Sequence, residues 1–114
     1  MILEEGLSFD LLRRVLDSVR DAAAACDVRV VTGDTKVVQK GKADGLYINT
    51  AGIGSIPHGL MIGGEQARPG DVVLLSGSIG DHGIAVLSAR GELGFESDIA
   101  SDVAPLNHLI ASML

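Results

Sequence analysis

The sequence predicts an α+β fold in two lobes, and three observations carry the prediction. Leu12, Val15, Leu16, Val19, Ala23 and Cys26 recur at helical spacing. Two runs, 28–32 and 46–51, are either rich in β-branched residues or alternate apolar with polar, as strands do. Between residues 57 and 70 the periodicity stops, and two prolines and four glycines intervene before a new strand-like run begins.

The elements follow in order. Ile2-Leu3 reads as the tail of a strand. The stripe from Leu12 to Cys26 predicts a helix over 9–26, with Ser8 capping its first turn and Asp10 complementing the positive end. Val28-Arg29-Val30-Val31-Thr32, bounded by Gly33, predicts a strand over 28–33. The polar stretch 39–45 reads as a turn or hairpin loop. Leu46-Tyr47-Ile48-Asn49-Thr50-Ala51 predicts a half-buried strand over 46–54, weakened by Gly52 and Gly54 and stopped before Pro57.

Residues 57–70 read as a linker between an end of one domain (1–56) and a beginning of another (71–114). A strand follows over 71–76, then a glycine turn at 77–80, then a helix from Asp81 to Arg90 closed by Gly91. A last helix opens at Ser101 or Asp102, with Pro105 in its first turn and Leu106, Leu109, Ile110 and Met113 on its apolar face. That face is still running at Leu114, and the start is equally abrupt, so both ends are expected to be cuts from something longer.

Charge and composition exclude some functions. The chain of 114 residues carries a formal charge of −6. This argues against a nucleic-acid partner, which needs a basic face. Apolar residues make up 46 % but aromatics only 3 %, so any core is built from small aliphatic side chains. Apolar surface left over on so small a domain predicts self-association. One cysteine, Cys26, permits no internal disulfide and fits a reducing compartment. It is expected to pack as a small apolar residue at the end of the helical stripe. Neither a signal-peptide pattern nor an apolar run of spanning length is present, so the expected setting is cytoplasmic, without a membrane.

Two stretches carry possible chemistry. In Thr32-Gly33-Asp34-Thr35-Lys36, Gly33 permits a close backbone approach, Asp34 offers a hard oxygen ligand for Mg²⁺, and Lys36 offers a point charge for a phosphate. The alternative is a strand end whose charges are merely solvated. In Gly77-Ser78-Ile79-Gly80-Asp81-His82-Gly83, a glycine turn opens a helix and offers N–H groups to an anion. It is neither a Walker A loop nor a dinucleotide fingerprint, and the alternative is a tight connection capped by Asp81. His58, His82 and His108 lack a second ligand at helical spacing, which argues against structural zinc. Among them His82, beside Asp81, is the candidate for chemistry.

Three ordered segments resemble the HypE family of hydrogenase maturation proteins: 31–38 (VTGDTKVV), 46–54 (LYINTAGIG) and 70–83 (GDVVLLSGSIGDHG). The opening Ile2-Leu3-Glu4-Glu5-Gly6-Leu7 joins them, and the resemblance runs from about residue 2 to 110. It implies a fragment of the two-domain fold typified by aminoimidazole ribonucleotide synthase: the end of the ATP-binding, dimer-forming first domain plus the start of the second. It implies an ATP-dependent carbamoyl dehydratase that turns a thiocarboxamide on its C-terminal cysteine into a thiocyanate, for the cyano ligands of [NiFe]-hydrogenase. Implied partners are a second copy, the carbamoyltransferase HypF and the HypC–HypD complex. ATP and Mg²⁺ would be held by Gly33, Asp34, Thr35, Lys36, Asn49, Gly80, Asp81 and His82, with Asp34 on the metal and Asp34 and Lys36 in the catalytic role. Asn49 is expected on the strand neighbouring the one that carries Asp34. The chain has neither a cysteine at Leu114 nor the family's upstream aspartates, so the 114 residues alone are expected to be inactive. The competing readings are a related ATP-dependent kinase or synthetase, and a dimerisation module without catalysis.

Overall fold

In the computed structural model, which describes residues 1–91, 94 and 98–114, the element order is β1 (Ile2–Glu4), α1 (Phe9–Ala25), β2 (Lys36–Val38), β3 (Leu46–Tyr47), α2 (Asp81–Ala89) and α3 (Asn107–Met113). A 3₁₀ turn, Gly64–Gln66, stands within the expected linker. The class is α+β, as the sequence predicts. The chain divides into two compact units: Met1–Pro57 with Pro105–Leu114, and His58–Ala104. The terminal helix thus groups with the first unit, whereas the sequence reading groups it with residues 71–114.

Unit 1 is organised by β1. The three strands lie in the order β2-β1-β3, with β1 parallel to β2 and antiparallel to β3. Ile2, Leu3 and Glu4 stand beside Lys36, Val37 and Val38 on one flank. On the other, Ile2 faces Tyr47 and Leu3 faces Leu46. Helix α1 forms because its apolar positions fall on one face. Leu12, Val15, Val19, Ala23 and Cys26 are half-buried while the positions between them are mostly exposed. The Ser8 side chain accepts the Leu11 N–H at 3.2 Å, and Asp10 sits in the first turn, as expected.

Several strand expectations are corrected. Residues 28–33 carry no ladder, and the strand begins instead at Lys36, where β1 provides a partner. The 46–54 strand contracts to Leu46–Tyr47, the two residues that pair with β1. The run 71–76 forms no strand. β propensity describes a side chain that suits a pleated, half-covered surface, and a strand forms only where a neighbour takes its hydrogen bonds. Val31 is 86 % exposed and Val73 92 %.

The last helix is corrected too. It opens at Asn107, not at Ser101 or Asp102. Pro105 disfavours helical backbone at the residue before it. Ser101 and Asp102 are also engaged elsewhere: Asp102 Oδ1 accepts the His82 N–H at 3.2 Å, and Ser101 Oγ lies 3.0 Å from His82 Nδ1. Helix α2 begins after Gly80, a left-handed residue without a side chain to cap it. Asp81 is its first helical residue and not its cap. Asp102, twenty residues later, supplies the capping oxygen from outside.

Among the described residues none is fully buried. The accessible surface is 10247 Å², whereas a folded monomer of this mass would expose roughly 5,900 Å². Much of the excess lies on aliphatic runs such as 28–31 and 72–75. The isolated 114-residue chain is therefore expected to bind a hydrophobic dye such as ANS and to unfold without a sharp calorimetric transition. A cooperative melt with no dye binding would overturn this.

Glu4 is the most constrained carboxylate of unit 1. Its oxygens accept the Gly41 N–H at 2.5 Å and the Gly45 N–H at 3.0 Å. The Gly41 hydrogen bond, then that from Gly45, and then the Lys40 charge hold its carboxyl below the ordinary glutamate value. A carboxylate so depressed contributes stability that is present above its unfolded value and lost as pH falls through its folded one. In acid titrations followed by NMR, the Gly41 and Gly45 amide protons are expected to move together, with a midpoint below that of an ordinary glutamate. A midpoint at or above the ordinary value would contradict the arrangement.

Candidate functional site

The Gly33–Lys36 motif opens a strand, instead of closing one as the sequence reading has it. Lys36 is the first residue of β2, and Gly33, Asp34 and Thr35 form the approach to it. The segment is held at the start of β1. The Lys36 N–H donates to the Met1 carbonyl at 2.9 Å, and the Met1 ammonium donates to the Asp34 carbonyl at 2.6 Å. The Asp34 carboxylate turns back on its own chain, accepting the Thr35 N–H at 2.8 Å. That bond holds the carboxylate beside the backbone of the next residue.

Asn49 is not on the strand next to β2. The centre strand β1 separates the two flanks. Both registers nevertheless lead to one end of the sheet. Ile2 stands between Lys36 and Tyr47, so the approach through Asp34 and Thr35 and the exit through Ile48 to Asn49 both lie at the Met1 end. Two strand spacings separate the flanks, roughly 10 Å. That gap suits a ligand larger than a single ion. Gly33, Asp34, Thr35, Lys36 and Asn49 are all exposed.

Gly80, Asp81 and His82 belong to unit 2. They form the start of α2, where the His82 N–H is taken by Asp102 and the His82 ring is bonded to Ser101. Ser101 Oγ also accepts the Val103 N–H at 3.2 Å, so residues 101–103 form a small turn fastened to α2. Sequence reading gives Ser101 and Asp102 only as a helix start and Glu4 only as part of the opening motif, none of them as a site residue. Their partners lie 19, 20 and at least 37 residues away, so no local pattern marks them.

At the opposite end of β1 from Asp34 lies an open depression of about 380 Å³, lined by Glu4, Glu5, Ser8, Lys40 and Gly45 among others. It does not coincide with the Asp34 motif. Among the described residues no three His, Cys, Asp or Glu side chains are grouped to hold a metal ion. Asp34 offers a single carboxylate. That suits Mg²⁺ bound mainly through phosphate oxygens and water, and does not suit an all-protein cage. Among the described residues no helix is long and apolar enough to cross a membrane.

Comparison with known proteins gives a consistent result. No family model matches the chain. It is 57 % identical over 113 residues to the carbamoyl dehydratase HypE of Azotobacter vinelandii, covering 99 % of this chain and 33 % of that protein. It matches the crystal structure of Escherichia coli HypE with a TM-score of 0.91 at 46 % identity, over 98 % of this chain and 35 % of that one. It also matches a solved HypE–HypF complex with a TM-score of 0.89 at 52 % identity, over 96 % of this chain and 36 % of that one. By sequence and by fold the chain matches a segment of HypE proteins, spanning about one third of the length of those relatives.

Proposed function

We propose that these residues form part of an ATP-dependent carbamoyl dehydratase, and that the Met1 end of the unit 1 sheet faces the nucleotide. The observation that carries this is the sheet order: β1 brings the Asp34–Lys36 approach and the Asn49 exit to one end, with a carboxylate and an ammonium on the same flank. Identity of 57 % to a protein named carbamoyl dehydratase supports the reaction class.

ATP supplies an activated phosphoryl group for the oxygen of a cysteine-bound carboxamide, whose later loss as phosphate leaves a thiocyanate. The role of this segment is to hold and neutralise. Asp34 would take a Mg²⁺ ion riding on the phosphates, Lys36 would balance a phosphate oxygen, and Gly33 and Thr35 would let the backbone approach closely. Asn49 would hydrogen-bond the nucleotide from the other flank. Within unit 2, Gly80, Asp81 and His82 at the start of α2 are candidates for phosphate on the family reading alone, and the His82 N–H there is taken by Asp102. The 114 residues alone would not turn over ATP, because they hold neither an acceptor cysteine at the C-terminus nor, among the described residues, more than one carboxylate for the metal.

HypF is the partner in a solved complex of a matching HypE, which supports the same partner here. A second copy and HypC–HypD follow from the family reading, in a cytoplasmic setting. The exposed Val28, Val30 and Val31 and the open side of β2 support pairing with a second copy. A related kinase or synthetase is the weaker reading, since the matching protein is named a dehydratase.

In the full-length protein, Asp34→Asn and Lys36→Ala are expected to slow dehydration about 10²-fold or more, as loss of one charge-stabilising contact does, while melting temperature holds. If the two residues are merely solvated, each substitution costs about 0–1 kcal/mol of stability and leaves single-turnover rates nearly normal. Light scattering with size-exclusion chromatography is expected to give a dimer for the full-length protein. A monomer at high concentration would remove the pairing.

A further inference from the structure

We infer that Glu4 is a positioning residue for the Asp34–Lys36 and Asn49 end of the sheet, because it pins the 39–45 loop that joins β2 to β3. The inference rests on the proposed reading of that end as the nucleotide face, and adds a residue remote from it.

The ladders around β1 are short: three residue pairs with β2 and two with β3. A two-pair ladder specifies register weakly, and a slip of one residue would turn every following side chain to the opposite face. It would also move Asn49 along the sheet by roughly 3.3 Å. Something beyond the ladders must hold the frame. Four hydrogen bonds between residues 4–5 and the 38–45 segment do so. The Glu5 N–H donates to the Val38 carbonyl at 2.8 Å, closing the end of β2. The Glu4 N–H donates to the Gly45 carbonyl at 2.8 Å, fixing the residue before β3. The Glu4 carboxylate accepts the N–H of Gly41 and of Gly45, at 2.5 and 3.0 Å, and so grips the loop at both ends.

The loop is shaped to receive it. Gly41 and Gly45 have φ of 79° and 75°, a left-handed backbone that side chains resist, and their N–H groups converge on one carboxylate. Only an ionised carboxylate presents two acceptor oxygens to two donors. A glutamine keeps one acceptor and turns an NH₂ toward the other N–H. The strand β1 then transmits the constraint, since Ile2 stands directly between Lys36 and Tyr47.

The test uses a full-length HypE protein carrying these residues, with Glu4→Gln and Glu4→Ala, Glu5→Gln as a neighbouring control and Asp34→Asn as a control for the site. Selective ¹⁵N-glycine spectra read the Gly41 and Gly45 amides. Calorimetric titration with Mg-ATP and steady-state kinetics read the site. Both Glu4 variants are expected to shift the two amides upfield and to lower kcat/KM about ten- to a hundredfold, the scale of a misplacement near 1 Å, while Glu5→Gln changes neither. Unmoved amides would overturn the pin. A lowered melting temperature with normal kcat/KM and Mg-ATP affinity would reduce Glu4 to a structural part and overturn the inference. If Asp34→Asn is impaired while both Glu4 variants react normally, this inference fails and the site reading stands. If Asp34→Asn reacts normally, the site reading fails and this inference with it.

Discussion

The hydrogen bonds of a three-residue strand organise the first unit. Ile2, Leu3 and Glu4 occupy the centre of the sheet, so neither β2 nor β3 pairs with the other. Each owes its existence to β1. This explains why the strands begin and end where they do, and why residues with higher β propensity at 28–33 remain without a ladder. It also explains how Asp34 and Asn49, fifteen positions apart and on opposite flanks, come to leave from the same end of the sheet. Parallel pairing on one side and antiparallel pairing on the other has that geometric consequence.

A second constraint is coverage. Isolated, the chain exposes far more surface than a monomer of its mass should, and much of the exposure falls on aliphatic runs. Val72, Val73, Leu74 and Leu75 are the residues a buried parallel strand would use, yet all four are largely exposed. The chain spans about one third of the relatives it matches. The structural match over that third is close although none of its described residues is fully buried.

Unit 2 shows how a glycine turn can be completed from a distance. Gly80 gives α2 its left-handed entry but has no side chain to satisfy the first N–H groups. Asp102 and Ser101 make up for it, one on the His82 backbone and the other on its ring. The same engagement removes them as caps for the last helix, which starts at Asn107 instead. The engagement of Ser101 and Asp102 thus accounts for the unexpected cap and, together with Pro105, for the later helix start.

The sequence by itself determined what depends on near neighbours. The α1 stripe, its Ser8 cap, the left-handed Gly91 closing α2 and the turn at 39–45 are set by spacing and side-chain chemistry within a few residues. Family resemblance was legible too, because it rests on ordered motifs. Tertiary structure alone decided the rest. Which β-branched run becomes a strand depends on a partner far along the chain. Asn49 stands across β1 from Asp34 because of pairing order, which no local pattern encodes. Glu4 and Asp102 look like ordinary surface carboxylates until the chain returns to place N–H groups against them. The physical reason is common to all three: hydrogen bonds between distant segments are specified by the fold, whereas helix periodicity and capping are specified within a turn or two of the residue itself.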